Sequence, residues 1–317
     1  MSVAIIGGSG FIGGNLSCLL NERKIDFFIV DIKKPEHFPD KWIYGDVTDK
    51  RSIYEALNGA SSIINLAAEH KDNVSPIELY YKVNVEGASN VCEAASLLNI
   101  KHITFTSSVA VYGFVEKETA EDGEFKPFNH YGKSKLQAEY VYDEWQKGSP
   151  DNNLVTIRPT VVFGKNNRGN VYNLFKQIAS GRFLMIGSGN NKKSMAYVGN
   201  IAAFILFSLN INEGRKVFNY IDKPDYTMNE LVTIINKAMG KESNNIRIPY
   251  LFGLLGGYIF DFLSKITGKE FPVSSIRIKK FCAMTQFKSD SISFYGFNAP
   301  YSLEEGISTT VKHEFLR

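Results

Sequence analysis

A glycine-rich turn lies near the start of the chain, between a short apolar run and a stretch with helical periodicity. The apolar run covers residues 3–6, and the turn, residues 7–13, reads GGSGFIG. Glycines spaced in this way let the backbone approach a pyrophosphate, whose charge is stabilised by the N-terminus of the following helix. Either Gly7 or Gly8 can begin the glycine spacing, so the register stays open. A strand, this turn and a helix in succession predict a dinucleotide-binding α/β domain.

Short apolar runs alternate with stretches of helical period through the first half of the chain, which is the pattern of a doubly wound parallel sheet. We therefore predict a Rossmann-type α/β fold, with an NAD-binding domain in residues 1–165 and a smaller C-terminal α/β substrate lobe in residues 166–317 whose segments interleave with it. The predicted strands lie near 2–6, 26–31, 41–44, 60–65, 102–107 and 154–158, and the predicted helices near 11–23, 49–58, 77–99 and 131–147.

The composition excludes several other classes of protein. The formal net charge is only +3, and no basic stretch is interleaved with aromatic residues, so nothing indicates a nucleic-acid partner. Cys18, Cys92 and Cys282 are odd in number and far apart, and the five histidines show no metal-ligand spacing, so we expect no disulfide framework and no metal. The chain runs from Met1 into its first apolar run without a charged leader and cleavage site, so we expect a cytoplasmic protein.

Three residues in the middle of the chain predict oxidoreductase chemistry. Tyr131 and Lys135 are one turn apart on a predicted helix, and Ser108 lies in the upstream segment SSVAVYG. An ammonium near a phenol lowers the pKa of the phenol, because it stabilises the phenolate. Tyr131 could then take a proton from a sugar or alcohol hydroxyl that Ser108 holds, while Lys135 also reaches a ribose of the cofactor. The Tyr-Lys spacing alone also occurs on ordinary surface helices, and only the serine segment and the glycine turn favour the catalytic interpretation.

The ends of the predicted strands add candidate contacts for the cofactor. Asp31 ends the second strand, where its carboxylate can accept hydrogen bonds from both hydroxyls of an adenine ribose and would repel a 2′-phosphate. Lys33 and Lys34 could soften that repulsion, but the carboxylate favours NAD over NADP. We expect the cofactor to contact Gly7, Ser9, Gly10, Phe11, Ile12, Gly13, Asp31, Ile32, Asp46, Val47, Leu66, Ala67, Ala68, Tyr131, Lys135 and Pro159.

Together these motifs resemble the extended short-chain dehydrogenase/reductase family, in its sugar-nucleotide epimerase and dehydratase branch, over almost the whole chain. The dehydratases of that branch have an acidic pair just before the position of Tyr112, whereas this chain has Val109 and Ala110 there. Without a carboxylic acid and a carboxylate to expel water, dehydration is not expected. The resemblance therefore implies an epimerase, a reductase or an alcohol dehydrogenase.

Longer strings narrow the resemblance to one small group within this branch, and they lie at residues 66–85, 105–113, 128–135, 168–174, 194–201, 253–268 and 274–287. The group consists of bacterial NAD-dependent 4-epimerases that interconvert GlcNAc and GalNAc on undecaprenyl diphosphate for O-antigen synthesis. Nucleotide-sugar epimerases have Arg-Tyr-Phe-Asn where this chain has RPTV at 158–161. The resemblance implies sugar contacts at Glu69, His70, Ser108 and Val109, and diphosphate contacts at Asn170, Lys193 and Arg277.

An uncharged apolar stretch, PYLFGLLGGYIF at residues 249–260, lies in the C-terminal half. It is too short to span a bilayer, which needs about 20 residues, but it could lie in a membrane interface. A buried core helix with a charged rim is the alternative. Basic side chains that would suit an anionic lipid surface flank the stretch, namely Arg247, Lys265, Lys269, Arg277, Lys279 and Lys280.

The leading interpretation is a 4-epimerase of polyprenyl-diphosphate-linked HexNAc, bound peripherally to the inner face of the cytoplasmic membrane, with a homodimer left open. A soluble UDP-HexNAc 4-epimerase or an NAD(P)H-dependent 4-keto-sugar reductase would use the same catalytic residues. A non-catalytic dinucleotide-sensing protein on the same fold is a further alternative. Such a sensor would not need to keep Ser108, Tyr131 and Lys135.

Overall fold

Parallel strands and their flanking helices form the larger part of the protein. The structure is a computed structural model and describes residues 2–71, 74–242, 246–269, 271 and 274–316. In this part of the chain the strands are β1 (Val3–Ile6), β2 (Phe27–Asp31), β3 (Trp42–Tyr44), β4 (Ser62–Asn65), β5 (His102–Thr106), β6 (Asn153–Pro159), β7 (Val161–Phe163), β8 (Met185–Ile186), β9 (Lys192–Tyr197), β10 (Arg215–Tyr220), β11 (Asp222–Thr227) and β12 (Arg247–Ile248).

The helices alternate with the strands up to β6, except between β2 and β3, which are consecutive, and the last three helices of the described residues follow β12. A π-helical turn, Lys82–Glu86, joins α3 to α4, and a 3₁₀ turn, Val109–Val111, follows β5. In the described residues the α-helices are α1 (Phe11–Glu22), α2 (Lys50–Ala56), α3 (Glu78–Tyr81), α4 (Gly87–Leu97), α5 (His130–Lys147), α6 (Asn170–Ala179), α7 (Val198–Ser208), α8 (Met228–Ala238), α9 (Tyr250–Thr267), α10 (Ser275–Cys282) and α11 (Leu303–Phe315).

The main sheet has the strand order β10-β6-β5-β4-β1-β2-β3, and all of its neighbouring strands are parallel. Residues of α1 and α7 cover one face and those of α2, α4 and α5 the other, so apolar side chains on both faces are buried. From β1 the sheet extends to β2 on one side and to β4 on the other. Ligands of such sheets bind outside the carboxyl ends of the strands at this switch point. The predicted Rossmann-type α/β fold is confirmed.

The seventh strand of this sheet comes from the C-terminal half of the chain. β10 pairs in parallel with β6, with Arg215 opposite Leu154 and Tyr220 opposite Pro159. The predicted strands did not include it, because its sequence, RKVFNY, begins with two charges and has no continuous apolar run. Residues from both predicted ranges, 1–165 and 166–317, thus share one sheet, and the division between them stays a prediction.

Two smaller sheets and a helix pair make up much of the remaining chain. The strand orders are β11-β9-β7 and β12-β8. Helices α9 and α10 pack closely at Gly257, where an added Cβ would lie 2.8 Å from the backbone nitrogen of Ser275. β7 follows β6 directly, and β9 leads into α7, which packs on α1. These connections hold the three-stranded sheet beside the carboxyl end of β6.

Candidate active site

A cleft of about 810 Å³ lies at the carboxyl ends of the main-sheet strands. Its other wall comes from α6, β9 and residues 285–287. Among the residues chosen from the sequence, those that line the cleft are Gly7, Gly10, Phe11, Ile12, Gly13, Asp31, Ile32, Asp46, Val47, Leu66, Ala67, Ala68, Glu69, His70, Ser108, Val109, Tyr131, Lys135, Pro159 and Asn170.

The glycine turn brings the backbone close to this cleft. Gly7 has φ +75°, and a Cβ there would lie 2.6 Å from the backbone nitrogen of Ala67. Gly10 is the N-cap of α1, which has no side-chain cap, so the first turn of the helix presents N–H groups that suit an anion. A Cβ at Gly13 would lie 2.5 Å from the Cα of Gly8, and one at Gly8 would lie 2.9 Å from the carbonyl oxygen of Ile5, so close packing requires glycine at both positions as well. Of the two candidate first glycines, Gly7 lines the cleft.

Asp31 ties the tip of this turn to the end of β2. Its Oδ2 accepts a hydrogen bond from the backbone N–H of Ser9 at 3.0 Å, and its Oδ1 accepts one from the N–H of Lys33 at 2.9 Å. Ser9 lies outside the cleft lining and holds the turn through this bond. The Lys34 ammonium lies 5.9 Å from the Trp42 ring centroid. The carboxylate of Asp31 is thus fixed at the edge of the cleft.

Asp46 and Val47 form the floor of the cleft after β3. The Asp46 Oδ1 accepts hydrogen bonds from the backbone N–H of Thr48 at 2.8 Å and from its hydroxyl at 2.9 Å. Val47 packs against Gly87 at the start of α4, and its carbonyl accepts a bond of 2.8 Å from the Asn90 amide. The backbone of this segment is therefore held by α4 and by its own turn.

The first turn of α5 carries Tyr131 to the segment that contains Ser108. Asn129 caps the helix by accepting a bond of 2.9 Å from the N–H of Gly132. Gly132 permits close approach, because a Cβ there would lie 2.6 Å from the carbonyl oxygen of Ala110. Ser108 and Tyr131 both line the cleft, and a side-chain interaction with Ser108 opposes the rise that burial causes in the pKa of the Tyr131 phenol. The phenol predicted to be the base and the serine predicted to assist it are thus adjacent.

The pKa values of Tyr131 and Lys135 differ from what the sequence led us to expect. Burial raises the pKa of Tyr131, and the interaction with Ser108 offsets this only in part. Burial also lowers the pKa of Lys135 to about 7, against the opposing attraction of Glu139. The Lys135 ammonium lies 4.2 Å from the Phe105 ring centroid. The expected lowering of the phenol pKa by a nearby permanent cation is therefore not found, because the lysine is itself desolvated.

Asn84, in the π-helical turn, is a residue that the sequence analysis did not select. Its Oδ1 accepts a bond of 2.9 Å from the N–H of Glu69, and its Nδ2 donates to the Glu69 carbonyl at 3.1 Å and to the Ser134 hydroxyl at 2.8 Å. Asn84 therefore fixes the backbone at Glu69 relative to α5. A buried asparagine inside an apolar helical run was the available signal, but a continuous helix was predicted over 77–99.

The comparisons with known proteins identify the family. Residues 3–220 match the model of the NAD dependent epimerase/dehydratase family. The chain belongs to this family. It is 50% identical, over 99% of its length and 96% of the relative's, to an N-acetyl-alpha-D-glucosaminyl-diphospho-ditrans,octacis-undecaprenol 4-epimerase of Escherichia coli O157:H7. A decarboxylating sterol-4-alpha-carboxylate 3-dehydrogenase of Candida albicans is 28% identical over 98% of this chain and 96% of its own.

A solved structure of this family has the same fold. It is the UDP-glucose 4-epimerase of Thermus thermophilus in complex with NAD, with a TM-score of 0.76 and 20% identity, over 99% of this chain and 98% of that one. The cofactor of the epimerase/dehydratase family is NAD, and the cleft fits it. Gly7 and Gly13 give the required backbone approach, and the uncapped N-terminus of α1 suits a pyrophosphate.

Two residues predicted to hold the substrate lie outside the lining of the epimerase/dehydratase cleft. Lys193 is half-buried next to Ser194, which lines the cleft, and its ammonium donates to the Ala283 carbonyl at 2.6 Å. Burial lowers the pKa of Lys193 to about 8. Arg277 is exposed on α10 and donates to the carbonyl of Phe271 at 3.0 Å. The roles of Lys193 and Arg277 remain predictions.

The described residues give no indication of a metal centre: no group of three or more His, Cys, Asp or Glu side chains among them is placed to hold a metal ion. None of the helices in the same part of the chain is both long and apolar enough to cross a membrane.

Proposed function

We propose that this member of the epimerase/dehydratase family is an NAD-dependent 4-epimerase that interconverts GlcNAc and GalNAc on a polyprenyl diphosphate at a membrane surface. The observation that carries the proposal is the 50% identity to the E. coli undecaprenol-linked epimerase, which extends over 99% of the chain and so includes the C-terminal half. The family model alone ends at residue 220 and does not distinguish among sugar substrates.

The proposed chemistry uses the adjacent hydroxyls of Ser108 and Tyr131. A C4 hydroxyl of the sugar would lie next to both hydroxyls, with Ser108 holding its oxygen while Tyr131 removes its proton. NAD, when bound, supplies the hydride acceptor and donor. The resulting 4-ketone turns in the cleft, and Tyr131 returns the proton on completion of the inversion. Val109 and Ala110 supply no acid to expel water, which favours epimerisation over dehydration.

Lys135 would supply charge balance for this base. A neutral phenol with a neutral amine, and a phenolate with an ammonium, contain the same number of protons. Burial raises the pKa of Tyr131 and lowers that of Lys135 to about 7, so both shifts favour the neutral phenol and the neutral amine in the nucleotide-free cleft. Formation of the phenolate with an ammonium beside it would therefore depend on the charge and hydrogen bonds that the bound cofactor and substrate bring to the site.

Asp31 supports NAD over NADP. Its carboxylate is held at the edge of the cleft by the N–H groups of Ser9 and Lys33, at the end of β2 where the adenine ribose is expected. A 2′-phosphate there would face this charge.

Lys193 and Asn170 support a diphosphate beyond the sugar. Asn170 lines the cleft at the start of α6, and Lys193 lies next to the cleft residue Ser194. Burial destabilises the charged form of Lys193 and lowers its pKa to about 8. A diphosphate would stabilise that charge. Arg277, on α10, would have to contribute from outside the cleft lining.

The support for a membrane surface is an apolar stripe on α9. The stripe consists of Leu251, Leu255, Ile259, Phe262 and Ile266, which follow each other at intervals of three or four residues and are each more than half exposed. Such spacing places them on one face of the helix. A buried core helix would not expose this face. The exposed Lys265, Lys269, Arg277 and Lys279 flank the stripe and suit anionic lipid, while the side chain of Lys280 lies outside the described part.

The decisive assay offers the purified protein polyprenyl-diphosphate-linked GlcNAc and UDP-GlcNAc side by side, without added nucleotide. We expect GalNAc to form on the lipid-linked substrate with no net production or consumption of NADH. Tyr131→Phe should abolish turnover, whereas Tyr140→Phe, at an exposed tyrosine on the same helix, should preserve it. Faster turnover of UDP-GlcNAc would instead identify a soluble UDP-HexNAc 4-epimerase. Stoichiometric consumption of NAD(P)H would indicate a reductase.

A further inference from the structure

A second cavity, of about 370 Å³, lies between β8, the start of α9 and the end of α10. It is called here the side pocket. Resting on the function proposed above, we propose that the side pocket binds the first isoprene units of the polyprenyl chain, next to the diphosphate, and directs the lipid from the active-site cleft to the apolar stripe on α9. Its lining residues are Ile186, Gly187, Ser188, Asn191, Tyr250, Lys279, Cys282 and Ala283.

The side pocket is connected to the cleft through two short pieces of backbone. Ala283 lines the pocket and Thr285 lines the cleft, only two residues further on. The segment that contains them runs beside β9, because the N–H of Thr285 donates to the Lys192 carbonyl at 3.1 Å and that of Ser194 donates to the Thr285 carbonyl at 2.8 Å. The Lys193 ammonium bonds to the Ala283 carbonyl between the two cavities. A diphosphate beside Lys193 would therefore be at the border of the side pocket.

The lining of the side pocket mixes apolar and polar groups. Ile186, Tyr250 and Ala283 offer apolar surface, Ser188 and Asn191 are polar, and the Lys279 ammonium lies 5.6 Å from the ring centroid of Tyr258 on α9. The Cys282 thiol donates to the Ile186 carbonyl at 3.4 Å. A mixed lining with one cation suits the junction at which a prenyl chain is attached to a phosphate.

The side pocket also adjoins the start of the membrane-facing surface. Tyr250, which lines it, is the first residue of α9, and the next two residues, Leu251 and Phe252, are among the most exposed apolar side chains of the described chain. Gly253 lets the helix approach β8, since a Cβ there would lie 2.6 Å from Cγ2 of Ile186. A chain that leaves the pocket past Tyr250 would therefore meet apolar surface at once, with no intervening charged residue on the helix.

Cys282 provides a native reporter for this site. We would measure its alkylation by a small maleimide, residue by residue with mass spectrometry, in the presence of farnesyl diphosphate, inorganic pyrophosphate or UDP. Farnesyl diphosphate should slow the modification of Cys282 roughly tenfold, whereas pyrophosphate and UDP should not, and the rate at Cys18 on α1 should stay constant. Absence of protection, or equal protection by pyrophosphate or by UDP, would overturn the proposal.

Filling the side pocket with a larger side chain gives a second test of the proposal. Ala283→Phe should raise KM for GlcNAc-diphospho-farnesol roughly tenfold or more, with kcat nearly unchanged, while Met284→Phe, at the exposed neighbouring residue outside the lining, should change neither. Equal kinetics in Ala283→Phe and wild type, or equal losses in both variants, would count against the pocket. If the wild type turns over no lipid-linked sugar, the proposed function fails instead, and the alkylation result, which needs no turnover, still decides whether the pocket binds a prenyl diphosphate.

Discussion

Arg158 and Glu139 form a bidentate ion pair inside the protein, with Nε to Oε1 at 2.9 Å and Nη2 to Oε2 at 2.6 Å. Both side chains are buried. Glu139 lies one helical turn after Lys135 and also accepts a bond from the Ser107 hydroxyl, next to Ser108. The ion pair therefore joins α5 to β6, and the bond from Ser107 joins α5 to the end of β5, next to Ser108.

The same pair extends to the C-terminal half of the chain through Tyr112. The Arg158 guanidinium donates to the Tyr112 hydroxyl, which donates in turn to Asn219 on β10 at 2.8 Å. Asn219 also donates to the carbonyl of Lys288, one residue after Phe287, which lines the cleft. One buried network thus spans both walls of the active site.

We expect Glu139→Gln to destabilise the protein strongly, because it leaves the Arg158 cation buried without its counter-charge. Loss of one partner of a buried pair typically lowers the free energy of unfolding by about 3–5 kcal/mol. The matched control is Glu55→Gln, which breaks the exposed Arg51–Glu55 pair and should leave the free energy of unfolding nearly unchanged, because solvent screens that pair. Urea denaturation of both variants measures this difference. Similar decreases in the free energy of unfolding would show that the buried pair contributes no more to stability than the exposed one.

The sequence predicted those parts of the fold and site that short local patterns encode, and it missed those that depend on contacts between distant segments. The glycine turn, Asp31 at a strand end and the Tyr131–Lys135 spacing are short patterns, and the structure brings them to one cleft. Asn84 could not be selected, because its importance comes from partners 15 and 50 residues away. The ion pair between Arg158 and Glu139 could not be predicted either, because no local sequence pattern relates a residue on a strand to a residue on a helix. β10 was missed because its two initial charges hide its pairing with β6.

The lowered pKa of Lys135 predicts how the stability of the cofactor-free protein depends on pH. The pKa of Lys135 is about 7 in the folded chain and 10.5 for an unperturbed lysine. Between these values the unfolded chain binds the extra proton, so this group makes the free energy of unfolding rise with pH above about 7. Below pH 7 its destabilising contribution is fully present.

The wild type should therefore gain stability relative to Lys135→Met by about 1–3 kcal/mol between pH 7 and pH 9, as measured by denaturation of nucleotide-free protein. Lys133→Met, at an exposed lysine on the same helix, should show no such change with pH. A difference between wild type and Lys135→Met that stays constant or falls as the pH rises would mean that Lys135 remains charged in the folded state.

The nucleotide preference can be tested at Asp31 with two substitutions. Protein purified without added nucleotide should release NAD on denaturation. Asp31→Ala should weaken NAD more than NADP, because it removes the ribose acceptor and also the charge that repels a 2′-phosphate. Asp31→Asn keeps one acceptor oxygen without the charge, so it should recover part of the NAD affinity while still admitting NADP. Titration by calorimetry measures both affinities, and release of NADP from the wild type would contradict the role assigned to this carboxylate.

The membrane proposal makes a prediction at the apolar stripe of α9. Replacing Leu255 and Ile259 by Asp puts two anions on a face that is exposed in the described chain, so the fold should persist while contact with an anionic bilayer is lost. We expect the fraction of protein that sediments with phosphatidylglycerol vesicles to fall roughly tenfold at low salt.

The control for this variant is Phe294→Asp, which replaces an even more exposed aromatic side chain outside α9 and should leave vesicle binding unchanged. Binding of the wild type should weaken as salt is raised, because Lys265, Lys269, Arg277 and Lys279 are exposed and their attraction to lipid is screened. Retention of NAD should be equal in all variants, since none of the described residues that line the cleft belongs to α9. A double-Asp variant that unfolds would instead identify the stripe as part of a core or of a protein interface, and a wild type that never binds vesicles would remove the membrane from the proposed function.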